Sequence, residues 1–334
     1  MMTSNASQAF VWIWLPQETQ PIVAGKISLI DGKYHFVYGR SYLEHEQAIP
    51  LSPIELPRQR GSFEPDGIND IHACLRDAAP DAWGRRVIDY EYPNLNPNEL
   101  DYMLLSGSNR IGALDFQQSS THFQARNASP LPLQDLLQAA QLIDAKKNLP
   151  PELERALLHG TSVGGARPKV QVTENHTQYI AKFSSSTDHY EVVKAEYVAM
   201  RLAQLAGIEV ADVQLQQSKG KDILLVKRFD RIAHHSVFER RLMLSGLSLL
   251  KLNEMEARYA SYRQLAELIR HQFSNPVASL HELYQRIVFN ILVGNTDDHA
   301  RNHAAFWDGR ALSLTPAYDI CRPKIERGKW RLKP

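Results

Sequence analysis

Along the first 60 residues, apolar and polar positions exchange in short runs. Phe10 to Leu15 is rich in β-formers, Pro21 to Ile30 mixes apolar and polar residues, and Lys33 to Tyr38 alternates directly after an Asp31-Gly32 turn. Side chains of a strand point to opposite faces in turn, so this spacing predicts a small antiparallel sheet. From Asp70 to Tyr92 the apolar spacing becomes helical, with a break at Pro80-Asp81 where a new helix starts, and Glu99 to Leu105 reads as another helix. Ile111 to Phe116 returns to a strand. The stretch Gln117 to Pro132 is polar, carries two prolines and ends before a helical run at Leu133 to Lys147. A boundary near residue 125 follows, dividing the chain into 1–125 and 126–334.

The second part opens with a helical Glu152 to His159, then a glycine-containing loop from Thr161 to Lys169, then alternating Val170 to Thr173 and Gln178 to Phe183. A long amphipathic helix, Tyr190 to Ala206, stops at Gly207, and further strands are predicted at Asp212 to Gln216, Ile223 to Lys227 and Ala311 to Thr315. Leu242 to Val293 reads as mostly helical. Strands and helices in this order predict a mixed α/β (α+β) chain, and no fixed-period repeat points to a solenoid.

Composition narrows the function. With 334 residues, 43% of them hydrophobic and 22% charged, the chain can bury a sizeable core. The balance of 38 Lys+Arg against 37 Asp+Glu gives no global basic field of the kind duplex nucleic acid attracts. The longest apolar cluster, Phe10 to Leu15, is far short of the roughly 20 residues of a membrane span. The start also lacks a basic region feeding an apolar stretch, so a cytoplasmic location is expected. Cys74 and Cys321 are too few for a disulfide framework or a zinc site, and His234 and His235 lack cysteine or acidic partners at ligand spacing.

Four places carry candidate chemistry. Ser162 to Lys169 sets two glycines beside a serine and a lysine, and glycines let backbone N–H groups approach a phosphate. It is not the phosphate loop that ends in Gly-Lys-Ser/Thr, because Pro168 precedes the lysine and a strand follows. The same residues spell Gly160-Thr161-Ser162-Val163-Gly164, the pattern of a hydrolase nucleophile, with Asp297 and His299 available to complete a triad. That pattern requires a strand before the serine and a helix after it, and here the order is inverted. Lys182 stands in the apolar strand Tyr179-Ile180-Ala181-Lys182-Phe183, on the side of Ile180, and the next helix contains Glu196. A strand lysine held by a helix glutamate orients nucleotide phosphates in kinases. Finally, Asp297 and Asn302 reproduce the D-x-x-x-x-N spacing in which an aspartate receives a hydroxyl proton and an asparagine holds Mg²⁺, and Asp319 follows a short hairpin as the second metal ligand. Each alone reads equally as a cap, a turn or a solvated face; their order along one chain favours the kinase set.

Together these residues resemble the HipA-type serine/threonine kinases, toxin components of toxin–antitoxin pairs. The resemblance is carried by Ser162-Val163-Gly164-Gly165-Ala166-Arg167-Pro168-Lys169, Ile180-Ala181-Lys182-Phe183, Val226-Lys227-Arg228-Phe229-Asp230-Arg231, Gly294 to Asn302 and Leu314 to Ile320. Ala79-Pro80-Asp81-Ala82-Trp83-Gly84 and Ser108 to Leu114 are similar to the family's N-terminal subdomain. The resemblance implies a two-lobed, protein-kinase-like fold with a small β-rich N-terminal subdomain, binding ATP and Mg²⁺. Asp297 would be the catalytic base, Asn302 and Asp319 the metal ligands, and Lys182 the phosphate contact paired with Glu196. Gly164, Gly165, Ala166, Arg167, Pro168 and Lys169 would cover the phosphates, Lys227, Arg228 and Phe229 would form the adenine hinge, and His299, Ala300, Arg301 and Tyr318 would complete the nucleotide site. Ser162 matches a serine that is autophosphorylated in the family. The implied partners are a protein substrate, with aminoacyl-tRNA synthetases among the family's targets, and a small helix-turn-helix antitoxin that brings DNA contact only indirectly.

Two departures stand out. Arg167 occupies a position more often glutamine, and the chain ends at Pro334 after a basic run, Arg322 to Pro334, where family members continue into further helices. An incomplete helical lobe would leave apolar surface exposed. The competing expectation is a catalytically inactive homologue that retains nucleotide or antitoxin binding, with a serine hydrolase at Ser162 more remote.

Overall fold

The computed structural model describes residues 5–127, 131–145, 147–150, 153, 160, 167–185, 188–235 and 237–321. Four strands, β1 (Gln8–Trp14), β2 (Pro21–Ile30), β3 (Lys33–Tyr38) and β4 (Ser62–Phe63), join a later strand, β5 (Leu114–Gln117), in an antiparallel sheet ordered β4-β3-β2-β1-β5. Asp31 and Gly32, at φ 49° and 83°, make the two-residue turn between β2 and β3 that left-handed backbone permits. β5 starts later than Ile111, because Gly112 turns at φ 75° and its N–H donates to Asp230 Oδ2 at 2.8 Å. The Asp70 to Tyr92 helical stretch resolves into the four-residue α2 (Ala73–Arg76) and, after Pro80-Asp81, α3 (Ala82–Glu91); a short α1 (Arg40–Leu43) precedes them. α4 (Glu99–Leu105) begins at a reciprocal cap between Asn98 and Asp101.

After α5 (Leu133–Asp144) a second sheet forms from β6 (Lys169–Glu174), β7 (Thr177–Phe183), β8 (Val213–Ser218) and β9 (Lys221–Lys227), antiparallel and ordered β6-β7-β9-β8, with α6 (Val192–Leu205) between β7 and β8 in the chain. Ile223 and Leu225 of β9 pack with α5, Trp83 and Val87, whereas Leu224 and Val226 pack with Met200 and Ala203 of α6. The uninterrupted apolar run of β9 therefore reflects a strand covered on both faces.

A hairpin of β10 (Arg231–His234) and β11 (Val237–Arg240) follows, unmarked in sequence by glycine or proline; His235 itself takes a left-handed φ of 55°. The expectation of helix from Leu242 needs correction. β12 (Met243–Ser245) is a strand, paired with β13 (Ala304–Trp307), which pairs with β14 (Leu312–Leu314). Helix is confined to α7 (Gly246–Leu249), α8 (Tyr262–Gln272) and α9 (Pro276–Val293), because residues 250–261 fold as turns with one 3-10 segment. Leu244, Leu265, Ile269, Ala305 and Leu312 join the same buried cluster as Val11, Ile13 and Phe36, so the first sheet shares its core with the C-terminal helices. Tyr284, Ile291 and Leu292 of α9 remain exposed. No described helix is long and apolar enough to cross a membrane. Apart from Leu153, the helical Glu152 to His159 expectation lies outside the described residues, as do most of the glycine loop and the basic tail.

Candidate active site

Strand alternation aims Lys182. Tyr179, Ala181 and Phe183 enter the cluster beneath α5, so Lys182 leaves on the α6 side, where Glu196 is only 4% exposed. The Lys182 ammonium donates to Glu196 Oε1 at 2.5 Å and to Asp319 Oδ1 at 2.5 Å. Burial alone would discharge it, but the Asp319 and Glu196 carboxylates more than offset that and hold its pKa above the ordinary lysine value. The same contact holds the Asp319 carboxyl well below the usual carboxylate range, against burial, while burial raises Glu196 despite Lys182. Lys169 stands directly across the ladder from Lys182, and burial, aided by that like charge, pushes it down to about 8. Asp319 adopts a left-handed φ of 60°, a region aspartate tolerates better than most residues.

α9 stops at Gly294, whose φ of 69° makes the left-handed C-cap that launches the next loop. The adjacent aspartates then divide. Asp297 is exposed, and its carboxylate has no hydrogen bond or ion pair among the described residues; only its N–H is held, by Asn295 Oδ1 at 3.2 Å. Asp298 is half-buried, its side chain 8% exposed, and accepts from Asn290 Nδ2 at 2.9 Å, His303 Nε2 at 3.1 Å and the Tyr262 hydroxyl. Hydrogen bonds from these groups and the His303 charge keep Asp298 ionised below its ordinary pKa, against burial. Asn302, 8% exposed, donates from Nδ2 to the Asp297 carbonyl at 3.1 Å, which leaves its Oδ1 as a hard oxygen donor. The Tyr318 hydroxyl donates to the Arg301 carbonyl at 2.8 Å, tying the residue before Asp319 to the one before Asn302.

The remaining expected residues fall in different places. Phe229 packs against Tyr318 and Phe306, with ring centroids 5.6 and 5.9 Å apart. Lys227 ends β9 with its ammonium 3.5 Å from Asp212. The Arg228 side chain is buried against Asp230 at 2.7 Å, the Arg110 carbonyl at 2.6 Å and Asn109. The Arg301 guanidinium is held at 2.6 Å by both Asp81 and Glu254. His299 is exposed, Pro168 and Lys169 are buried, and Arg167 pairs with Asp188. Ser162, Gly164, Gly165 and Ala166 lie outside the described residues. Gly246 carried no signal in the sequence, yet a Cβ there would stand 2.7 Å from the Ala300 carbonyl oxygen.

A four-stranded sheet with a lysine bridging a helix glutamate and a loop aspartate, facing a loop that carries Asp297 and Asn302, is a kinase-like arrangement. The chain belongs to the HipA family: the HipA-like C-terminal domain matches residues 161–330 and the HipA N-terminal domain residues 14–117. It is 29% identical over 185 residues to the serine/threonine-protein kinase toxin HipA of Shewanella oneidensis, an alignment covering 48% of this chain and 42% of that protein. Similarity to the Sinorhizobium fredii protein Y4mE is 26% over 319 residues, covering 86% of this chain and 72% of that one. Its fold matches HipA from the Shewanella oneidensis MR-1 complex of HipA, HipB and operator DNA, with a TM-score of 0.65 at 21% identity, over 90% of this chain and 74% of that one.

Proposed function

We propose that the chain is an ATP- and Mg²⁺-dependent serine/threonine protein kinase. The observation that carries this is Lys182, held between Glu196 and Asp319. Fixed in that fork, the ammonium meets phosphate oxygens without first being reoriented, and catalysis by positioning and charge neutralisation needs little more from the protein. Asn302 Oδ1 and the Asp319 carboxylate are hard oxygen donors suited to Mg²⁺. Among the described residues no three His, Cys, Asp or Glu side chains are placed to hold a metal by themselves, which fits an ion shared with substrate phosphates. When bound, Mg²⁺ supplies charge neutralisation at those phosphates. Asp297, whose carboxylate is exposed, accepts the proton from the acceptor hydroxyl as that oxygen bonds to the γ-phosphorus and ADP leaves.

Ser162 is the expected autophosphorylation site. A protein hydroxyl is the expected substrate, an aminoacyl-tRNA synthetase being one candidate class, in a cytoplasmic setting. A helix-turn-helix antitoxin is the expected partner, the HipA neighbour having been solved with HipB and operator DNA. The test is transfer of labelled γ-phosphate from Mg-ATP by the purified chain, beside Asp297→Asn and Ser162→Ala. Label on wild type that is lost in both variants supports the reading with Ser162 as acceptor. Folded wild type that binds ATP and transfers nothing overturns it in favour of an inactive nucleotide-binding homologue. Labelling of Ser162 by an active-site serine probe would instead favour a hydrolase.

A further inference from the structure

The start of α3 contacts both β6 and the turn that carries Asn302. Trp83 is fully buried among β6 and β7 residues, and its Nε1 donates to the Lys169 carbonyl at 2.8 Å. Two residues earlier, Asp81 occupies the N-cap of α3, where an aspartate ordinarily accepts from its own helix, yet its side chain makes no such cap. Asp81 Oδ1 instead accepts from Arg301 Nη2 at 2.6 Å, in the turn that carries Asn302. Asp77, slightly upstream, accepts from the Ser245 N–H at 2.7 Å and hydroxyl at 2.8 Å, on the strand paired with Ala304. Glu254, the other partner of Arg301, is 60% exposed and Asp81 only 14%, so the Asp81 contact is the less screened.

We propose that Asp81 is a positioning residue of the N-terminal segment, holding the catalytic loop through Arg301 while Trp83 holds the base of the glycine-loop strand. One stretch outside the kinase sheet thereby sets the spacing between Lys182 and Asp297. The inference rests on the kinase reading for its consequence, and on the Asp81–Arg301 contact for its geometry.

The test compares full-length wild type with Asp81→Asn, Arg301→Gln and the double variant, by kinetics and by amide hydrogen exchange. Asp81→Asn is expected to lower kcat by roughly 10- to 100-fold, as misplaced groups do, with KM for ATP changed far less. Amides of residues 295–302 should exchange about tenfold faster while those of β1 to β3 keep their rates, the signature of a local release. The double variant should be no worse than Arg301→Gln alone. Unchanged exchange at 295–302 overturns the proposal, and so does faster exchange spread over the whole chain, which would indicate general destabilisation. If wild type transfers no phosphate while the local exchange change is seen, the kinase reading fails and the positioning contact stands. Should Asp81→Asn not fold, Arg301→Gln severs the same pair from the other side and is read by the same exchange.

Discussion

Two charged clusters, assembled around Lys182 and around Asp230, do opposite things. In the first, Lys182 joins Glu196 and Asp319, and the Asp319 side chain keeps 45% of its surface open. In the second, the side chains of Arg228, Asp230 and Arg231 are at most 4% exposed. Donors of Arg231 there are taken by Asn109, the Gly112 and Arg110 carbonyls and Asp230, so the cluster bolts the N-terminal segment to the end of β9. Charge on its own therefore does not mark a site. Charge with a vacant side does, because a ligand needs coordination that the fold has not already satisfied.

The largest expected effects separate the two clusters most sharply. Asp297→Asn should lower phosphoryl transfer by roughly 10²–10⁴-fold and leave the melting temperature alone, since the exposed carboxylate makes no hydrogen bond or ion pair among the described residues. A melting temperature that falls together with activity would blur the distinction. Asp230→Ala should do the reverse and cost about 3–5 kcal/mol, the penalty for stranding two buried guanidinium groups, read by denaturant unfolding. A smaller effect, about 1–3 kcal/mol from overpacking, is expected for Gly246→Ala, because the new methyl meets the Ala300 carbonyl oxygen at 2.7 Å. The push falls on the turn that carries Asn302, so on the proposed kinase reading kcat should drop as well.

Much of this was legible in the sequence. Alternation located β2, β3 and β7, and the spacing from Asp297 to Asn302 located the loop that follows α9. The failures have physical causes. Arg228 adjoins Lys227 in a motif read as one unit, and no local pattern shows that its side chain pairs with Asp230 in a buried cluster. β12 is too short to show a period, and its pairing with β13 lies 60 residues downstream. The split between Asp297 and Asp298 depended on Tyr262, Asn290 and His303, contacts invisible to local pattern. Asp81 is legible as a helix start and as part of the Ala79 to Gly84 motif, but its partner Arg301 is 220 positions away.

Acid should also tell the clusters apart, with a smaller effect. Burial raises the Asp230 pKa, but Arg228 and Arg231 outweigh it and hold the carboxyl far below its unfolded value of 3.8. A depressed carboxyl contributes stability that is fully present above the unfolded pKa and is lost as pH falls through the folded one. Unfolding free energy should therefore be flat above about pH 5 and decline below about pH 4. In an Asp230→Asn background the decline should be shallower, the neutral amide having nothing to titrate. An unchanged acid slope would sink the assignment of Asp230 as the ionised centre of the buried cluster.

The smallest effect comes from Lys227, the exposed residue that ends β9. Lys227 and Asp212 approach only to 3.5 Å with 49% and 62% of their side chains exposed, so solvent and salt screen the pair. Lys227→Ala should change unfolding free energy by no more than about 1 kcal/mol, and less at high salt. Its backbone is held independently, by the N–H bond to the Asp212 carbonyl at 2.8 Å, so the end of β9 should keep its place when the side chain goes. Arg228 next door offers the matched contrast: Arg228→Ala removes a guanidinium that holds Asp230, Asn109 and the Arg110 carbonyl, and should destabilise several times more. Equal losses from the two substitutions would mean that burial does not separate bolt from surface here, and the contrast between sealed and open charge would fail at its most closely matched pair.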